Sequence, residues 1–313
     1  MFYSDRELLR LLPRVLRARD FHLYLENGKR LTDLWLAGGR AVLGHKPPMV
    51  LGELKNAAER GLFTSLPHPM ERRFLKALGE LFPGRVFRLY ADAGSLRSAL
   101  ADSDIPLPAN RLLPDPAFPD GIADGNTEGN TDSNTDGKPD TGGFSSVGGA
   151  KGKKLSLWRP FIEQSTDNIS SDNMPDGSQM GAPVLAPVLP WPLGPDALVL
   201  QKNMDASFPT GEIIPPVLLA PATRALYDLL AVIKDGDRVR RVYPKVEKAL
   251  KGSPWRRRGI YLTIEADREN YAALFRRFLE GGFLIPPSPV EPLILPASIS
   301  DGEEAKLAGL LKL

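Results

Sequence analysis

Apolar residues recur with two different periods along the first hundred residues, and the changes of period predict the order of the elements. Helical spacing over 4–18 predicts a short amphipathic helix interrupted at Pro13. Alternation of apolar and polar residues on both sides of Asn27-Gly28 predicts a β-hairpin over 21–35. The same criteria predict helices over 47–61, 69–81 and 94–101, and a buried strand over 86–90.

The last 130 or so residues return to regular periodicity. Prolines punctuate a predicted pair of strands over 182–200, and two predicted helices follow over 221–234 and 237–251. The remaining elements are a strand (259–267), a helix (269–282), two strands (283–288 and 292–298) and a last helix capped by Ser300-Asp301. This order predicts a compact α+β domain at the C-terminal end.

Residues 114–182 interrupt this regular pattern. The four-residue repeat GNTE-GNTD-SNTD-GKPD occupies 125–140 and is surrounded by Gly, Ser, Asp and Pro. Such a segment cannot bury enough apolar surface to offset an ordering cost of about 1–2 kcal/mol per residue. It has no glutamate-terminated loop between helices, so an EF-hand is excluded. We predict a low-complexity, disordered insert, in which LSLWRPFI (155–162) docks as an isolated strand.

Composition limits the function classes. Hydrophobic residues make up 42% and charged residues 25% of the 313 residues, as in a globular protein. The 40 Lys and Arg nearly balance the 38 acidic residues, so charge favours neither a nucleic acid nor a membrane partner. The absence of cysteine excludes disulfides and thiolate chemistry and fits a cytoplasmic protein. We expect no signal peptide and no membrane span.

Several local motifs occur in an order that identifies a known family. Leu-Gly-His45 precedes paired prolines, and the strand at 86–90 leads to Ala93-Gly94-Ser95 at a helix start. Near the other end, Gly282-Phe283-Leu284-Ile285-Pro286 is followed by Leu-Ile-Leu-Pro. The chain resembles the class III aminotransferases, which depend on pyridoxal 5′-phosphate (PLP). The resemblance implies an α/β, PLP-transferase (fold type I)-like fold. It has an incomplete large domain and a C-terminal α+β small domain.

We accordingly divide the chain into four parts. Residues 1–113 hold the N-terminal segment and the start of the large domain, and 114–182 form the insert. Residues 183–222 are the remnant of the large domain, and 223–313 form the small domain.

The resemblance also implies a set of cofactor-binding residues. Gly94 and Ser95 would bind the phosphate of PLP, although the family pattern S-G-S/T-E-A reads A-G-S-L-R here. Thr210, in Ser-Phe-Pro-Thr-Gly, resembles a family segment that reaches the phosphate of a neighbouring subunit. Lys202, after Pro-Asp-Ala-Leu-Val-Leu-Gln, would form the Schiff base.

Each of these residues has an ordinary structural interpretation as well. Gly94-Ser95 is also a common N-terminal helix sequence, and Lys202 is also typical of a surface lysine. A second alignment deletes the lysine segment altogether. The family's aromatic-His-Gly motif and its Asp-Glu-Val strand, whose aspartate pairs with the pyridinium nitrogen, are absent from the sequence.

Two functions therefore remain open. An active protein would be a homodimer that moves an amino group from a donor to a keto or aldehyde acceptor, with PLP as cofactor and no metal. The alternative is a pseudoenzyme, kept as a binding or scaffold subunit or decaying. The three histidines predict neither a metal site nor a catalytic triad, and His45 is interpreted as a turn residue bonded to backbone. Residues 256–258 (Arg-Arg-Arg) are interpreted as a solvated strand edge.

Overall fold

The computed structural model describes residues 7–103, 115–118, 155–162, 180–236, 243–266 and 268–312. Its helices are α1 (Pro48–Glu59), α2 (Pro69–Leu81), α3 (Ala93–Ala101), α4 (Pro216–Asp235), α5 (Pro244–Leu250), α6 (Arg268–Glu280) and α7 (Asp301–Leu311). Its strands are β1 (Val15–Arg19), β2 (His22–Leu25), β3 (Arg30–Asp33), β4 (Val86–Tyr90), β5 (Leu155–Trp158), β6 (Val184–Pro187), β7 (Asp196–Leu200), β8 (Arg256–Arg258), β9 (Tyr261–Thr263), β10 (Phe283–Leu284) and β11 (Leu293–Ile294).

The first sheet has the strand order β1-β2-β3-β10 and joins the two ends of the chain. The hairpin predicted around Asn27-Gly28 is confirmed, with β2 and β3 antiparallel and Gly28 at φ +76°. β3 pairs with β10 in parallel, and the amide of Leu34 donates to the carbonyl of Leu284. The N-terminal hairpin is therefore hydrogen-bonded to a strand from the C-terminal third.

The prediction of a helix over 4–18 is wrong for the second half of that range. Residues 7–9 are helical, but Val15–Arg19 form β1 and pair antiparallel with β2. The apolar spacing around Pro13 fits a helix locally, whereas the hydrogen bonds offered by β2 favour the extended chain.

The second sheet has the order β4-β7-β6-β5. β7 is antiparallel to both β4 and β6, whereas β5 is parallel to β6. The prolines of 182–200 separate the two predicted strands, β6 and β7, which are buried throughout. The expected docking of 155–162 is confirmed for β5, which belongs to this sheet. Most of the predicted disordered insert lies outside the described residues.

Helix α4 packs against α1 and α2 and covers the core beside the second sheet. It begins at Pro216, earlier than the predicted 221. Proline is favoured at the first helical position because it has no backbone N–H that would be left without an acceptor there. By length and composition alone α4 could cross a membrane, but 56% of its apolar window is buried inside the protein. That burial is typical of a core helix.

The C-terminal third forms the predicted α+β unit. β11-β9-β8 make an antiparallel sheet, and α5 packs against α7. The predicted cap of the last helix is confirmed as a full capping box between Ser300 and Glu303. Helix α5 begins at Pro244, and residues 237–242 of the predicted helix lie outside the described residues.

Candidate functional site

The strand directions of the second sheet define where a ligand site would lie. Because β7 is antiparallel to both its neighbours, β4, β5 and β6 run in the same direction. We call the edge where these three strands end the carboxyl edge and the opposite one the amino edge. In open α/β sheets, ligands bind outside the carboxyl ends of parallel strands. The connections at this edge comprise residues 91–95, 159–162 and 188–195.

The start of α3 lies at the carboxyl edge and carries Gly94 and Ser95. Asp92 is the N-cap residue, and its Oδ1 accepts the backbone N–H of Gly94 at 2.6 Å and of Ser95 at 3.0 Å. These bonds from Ser95 and Gly94 hold the pKa of the Asp92 carboxyl below its usual range. The side chain is solvent-exposed, and its lowered pKa keeps it an anion at neutral pH.

A second carboxylate reaches the same place from a distant segment. Glu212 Oε2 accepts the N–H of Ala91 at 2.7 Å, and the N–H of Glu212 donates to the carbonyl of Leu89 at 2.7 Å. Thr210 is exposed two residues earlier on this segment. The segment that carries Thr210 therefore passes beside Leu89 of β4. We call the two carboxylates of Asp92 and Glu212 the acidic cap.

Lys202 lies at the other edge of the sheet. In the β4–β7 ladder, Tyr90 pairs with Asp196 and Val86 pairs with Leu200. Lys202 follows Leu200 and is exposed at the start of a 3₁₀ turn, Lys202–Ser207, whereas Gly94 follows Tyr90. Four residues of strand correspond to about 13 Å. The structure therefore does not bring Lys202 together with Gly94 and Ser95.

The residues at the start of α3 do not fit a phosphate group. A phosphate held there would accept the free N–H groups of the first helical turn and would benefit from the positive end of the helix dipole. Here those N–H groups already donate to Asp92, and the neighbouring Ala91 N–H donates to Glu212. A phosphate would have to displace one carboxylate and lie beside the other.

Two ion pairs lie elsewhere at the carboxyl edge, one of them buried and the other partly buried. Arg159, directly after β5, donates to both oxygens of Asp115 at 2.7–2.9 Å, and both side chains are about 95% buried. Burial by itself would lower the pKa of Arg159. The Asp115 carboxylate raises that pKa by more than burial lowers it, so the net shift is upward. Arg40 pairs with Asp196 at the start of β7.

These arginine pairs are not evident from the sequence. Asp115 lies in the segment assigned to the insert, and its partner is 44 residues away. A buried charge requires a partner, yet the sequence carries no signal that either residue is buried.

The histidine and arginine interpretations need correction. His45 does bond through backbone, its N–H donating to the carbonyl of Asp20, but its Nε2 also lies 2.8 Å from Asp33 Oδ2. Asp33 is buried and also accepts the N–H groups of two following residues. The Arg-Arg-Arg strand is not simply solvated, because Arg257 pairs with Glu247 and Arg258 donates to the carbonyl of Pro116. Local sequence cannot show carboxylates and carbonyls that approach from other elements.

Within the described ranges, no group of three or more His, Asp or Glu side chains could hold a metal ion. Two surface grooves of about 490 and 460 Å³ lie away from the carboxyl edge. The first lies at the start of α2 and the second between Ile264 and α6.

The arrangement of the sheets and helices defines the class: the chain has the fold of the PLP-dependent fold type I enzymes. It is similar to ornithine delta-aminotransferase of Plasmodium falciparum, with a TM-score of 0.61 and 13% identity over 95% of this chain and 91% of that one. It is also similar to acetylornithine aminotransferase of Elizabethkingia anophelis, with a TM-score of 0.59 and 13% identity over 99% and 98% of the two chains. The fold expected from the sequence resemblance is confirmed.

At the level of sequence the chain is similar to proteins without an assigned function. An uncharacterized protein of Treponema pallidum (strain Nichols) is 24% identical over an alignment of 333 positions including gaps, which covers 93% of this chain and 91% of the relative. An uncharacterized protein of Borreliella burgdorferi is 35% identical over 92 residues, or 29% of this chain and 31% of the relative. No protein-family model matches the chain.

Proposed function

We propose that this protein is a non-catalytic relative of the class III aminotransferases that acts as a binding or scaffold subunit. One observation carries the proposal: Lys202 and the Gly94-Ser95 helix start lie at opposite edges of the same sheet. Transamination needs a lysine amine and a phosphate cradle that hold the two sides of one small cofactor. A separation of about 13 Å along the strands is too long for a single substituted pyridine ring to bridge.

The composition of the carboxyl edge supports the same proposal. The connections after β4, β6 and β5 read Ala-Asp-Ala-Gly-Ser (91–95), Val-Leu-Pro-Trp-Pro-Leu-Gly-Pro (188–195) and Arg-Pro-Phe-Ile (159–162). These three described connections contain no lysine. Arg159 lies in one of these connections and is paired with Asp115. Arg40 comes from the N-terminal segment and is paired with Asp196 at the start of β7. A guanidinium cannot form a Schiff base, since it stays protonated.

The alternative is a PLP-dependent aminotransferase. Lys202 would then form the Schiff base, and Gly94, Ser95 and Thr210 would hold phosphate. An amino group would pass from a donor to a keto or aldehyde acceptor. The likeness to solved aminotransferases over 95% or more of the chain favours this function, as does the contact that Glu212, two residues after Thr210, makes with Leu89 of β4.

An absorbance titration with PLP separates the two functions. We expect the purified protein to show no saturable aldimine band, no borohydride-fixed adduct and no rise in melting temperature, because a ligand that binds the folded state would raise it. Lys202→Ala should behave like the parent protein. Lys55→Ala, which removes another exposed lysine, controls for weak Schiff bases on the surface. A saturable band that borohydride fixes and that Lys202→Ala alone abolishes would establish the aminotransferase.

We further propose a homodimer, from the aminotransferase resemblance, and a cytoplasmic location, with which the absence of cysteine is compatible. A binding or scaffold role needs a surface that contacts another chain, and a second copy is the simplest partner. Light scattering coupled to gel filtration tests this directly. We expect a mass of about twice the 34.2 kDa of one chain, and a single-chain mass at all concentrations would contradict it.

A further inference from the structure

Three backbone N–H groups at the start of α3 donate to the chain's own carboxylates. Gly94 and Ser95 donate to Asp92, which comes from the same turn. Ala91 donates to Glu212, which lies 121 residues away. The acidic cap therefore combines a local N-cap with a tertiary contact, and an N-cap alone would not need the second carboxylate.

The position of Glu212 is set by the backbone and not by a mobile side chain alone. The segment before it approaches β4 so closely that a Cβ on Gly211 would lie 2.7 Å from the nitrogen and 2.9 Å from the oxygen of Leu89. Only glycine allows this approach. It places the N–H of Glu212 on the Leu89 carbonyl, and the side chain then reaches Ala91 at the end of β4.

Two carboxylates of the chain itself therefore already occupy the positions that a bound anion would take at this end of α3. The positive end of a helix dipole stabilises one or two negative charges in its first turn. Asp92 and Glu212 supply those charges in this chain. A third anion would meet the repulsion of both carboxylates and would find its N–H donors engaged.

We infer that the acidic cap is an internal substitute for a bound phosphate and excludes phosphate groups from the start of α3. This inference rests on the proposed function and deepens it, because it gives the physical reason why a PLP phosphate is not held. If it holds, removal of the two negative charges with the hydrogen bonds retained should allow phosphate to bind at the start of α3.

The test is a titration with inorganic phosphate at constant ionic strength, followed through the amide NMR signals of Gly94 and Ser95. In the natural protein we expect these signals not to move. In Asp92→Ser/Glu212→Gln, serine keeps the N-cap oxygen and glutamine keeps an acceptor for Ala91. We expect both signals to shift with saturation, with a midpoint at least about tenfold below the highest phosphate concentration at which the natural protein shows no shift.

The matched control is Asp102→Asn/Glu59→Gln. It removes two exposed acidic charges as well, but at the C-terminal ends of α3 and α1. We expect its Gly94 and Ser95 signals to stay unmoved, which separates a local effect from a change in net charge. The single variant Glu212→Gln leaves the N-cap intact and should show a smaller gain than the double variant. This keeps the test decisive if the double variant does not fold.

Two outcomes overturn the inference. One is a saturable phosphate response of Gly94 and Ser95 in the natural protein. The other is the absence of any gain in both charge-removal variants. The proposed function fails separately, through a Lys202-dependent PLP adduct. A Lys202-dependent PLP adduct without a phosphate response would contradict the proposed function but not the inference about the acidic cap. A phosphate response of Gly94 and Ser95 without a PLP adduct would contradict the inference about the acidic cap but not the proposed function.

Discussion

Glu303 connects the last helix to the N-terminal hairpin. Its Oε1 lies 2.8 Å from His22 Nε2 and accepts from Arg30 and from Thr32, each at 3.0 Å, while its Oε2 accepts from Ser300. Burial alone would raise the pKa of this carboxyl. The hydrogen bonds from Ser300, His22 and Thr32 outweigh that effect and lower its pKa to about 2.

This shift makes stability depend on pH. Because the folded pKa of about 2 lies below the ordinary 4.5, the contribution of Glu303 is present above pH 4.5 and is lost as pH falls towards 2. We expect Glu303→Gln to lower the urea midpoint near neutral pH and to differ less from the parent at about pH 3. Glu80→Gln, at an exposed position on α2, should show no such convergence. A pH-independent difference for Glu303→Gln would contradict the assignment.

At the scale of elements, the segment before α4 behaves as an additional partner of β4. β7 pairs with one side of β4, and residues 211–212 lie against the carbonyl and amide of Leu89 on that strand. The close approach leaves no room for a Cβ at Gly211. The packing of this segment, and with it the acidic cap, therefore depends on one glycine.

Two glycine substitutions separate packing from chain entropy. Gly211→Ala should destabilise the protein by about 1–3 kcal/mol, because the new Cβ meets backbone atoms that must move. Gly79→Ala, inside α2, meets nothing within 4 Å and should stabilise by up to about 1 kcal/mol. Chemical unfolding measures both. Equal effects of the two substitutions would contradict the close approach.

At the scale of the whole molecule, Arg159 links parts of the chain that are far apart in sequence. It pairs with Asp115, donates to the carbonyl of Gly38 and lies 5.4 Å from the centre of the Tyr261 ring. The N-terminal turn, the second sheet and the C-terminal unit therefore meet at one buried cation. The Asp115 carboxylate compensates the charge of Arg159, so loss of Asp115 would leave an unpaired cation in the core.

Removal of one partner should therefore cost more than removal of both. We expect Asp115→Ala to lower the free energy of unfolding by about 3–5 kcal/mol. Asp115→Ala/Arg159→Met should recover part of that loss, because no unpaired buried charge remains. A double-mutant cycle by urea unfolding gives the coupling. Additive losses would show that the pair contributes no coupling.

Local patterns predicted most individual elements correctly. The Asn27-Gly28 hairpin, α2 and the capped α7 follow from turn chemistry, a 3.6-residue period and a capping residue, all of which act over a few neighbouring residues. β1 was mispredicted because its conformation depends on hydrogen bonds to β2. The start of α4 was placed too late because a second proline, Pro221, lies inside the helix.

The candidate site was less predictable than the fold. The sequence correctly placed Gly94 and Ser95 at a helix start after a strand. Whether that helix start is free for an anion depends on Glu212, which is distant in sequence. Whether Lys202 lies near it depends on the antiparallel pairing of β7 with β4. Motif spacing carries neither kind of information.

The sequence by itself determined the order of the elements, the two dense stretches of regular structure and the likeness to a PLP-dependent fold, since periodicity and turn residues act locally. The tertiary structure alone decided which side chains meet. It put Lys202 and the start of α3 at opposite edges of a sheet, and it brought Asp92 and Glu212 to the same three N–H groups. Strand direction and long-range approach determine those distances, and both arise only when the chain has packed.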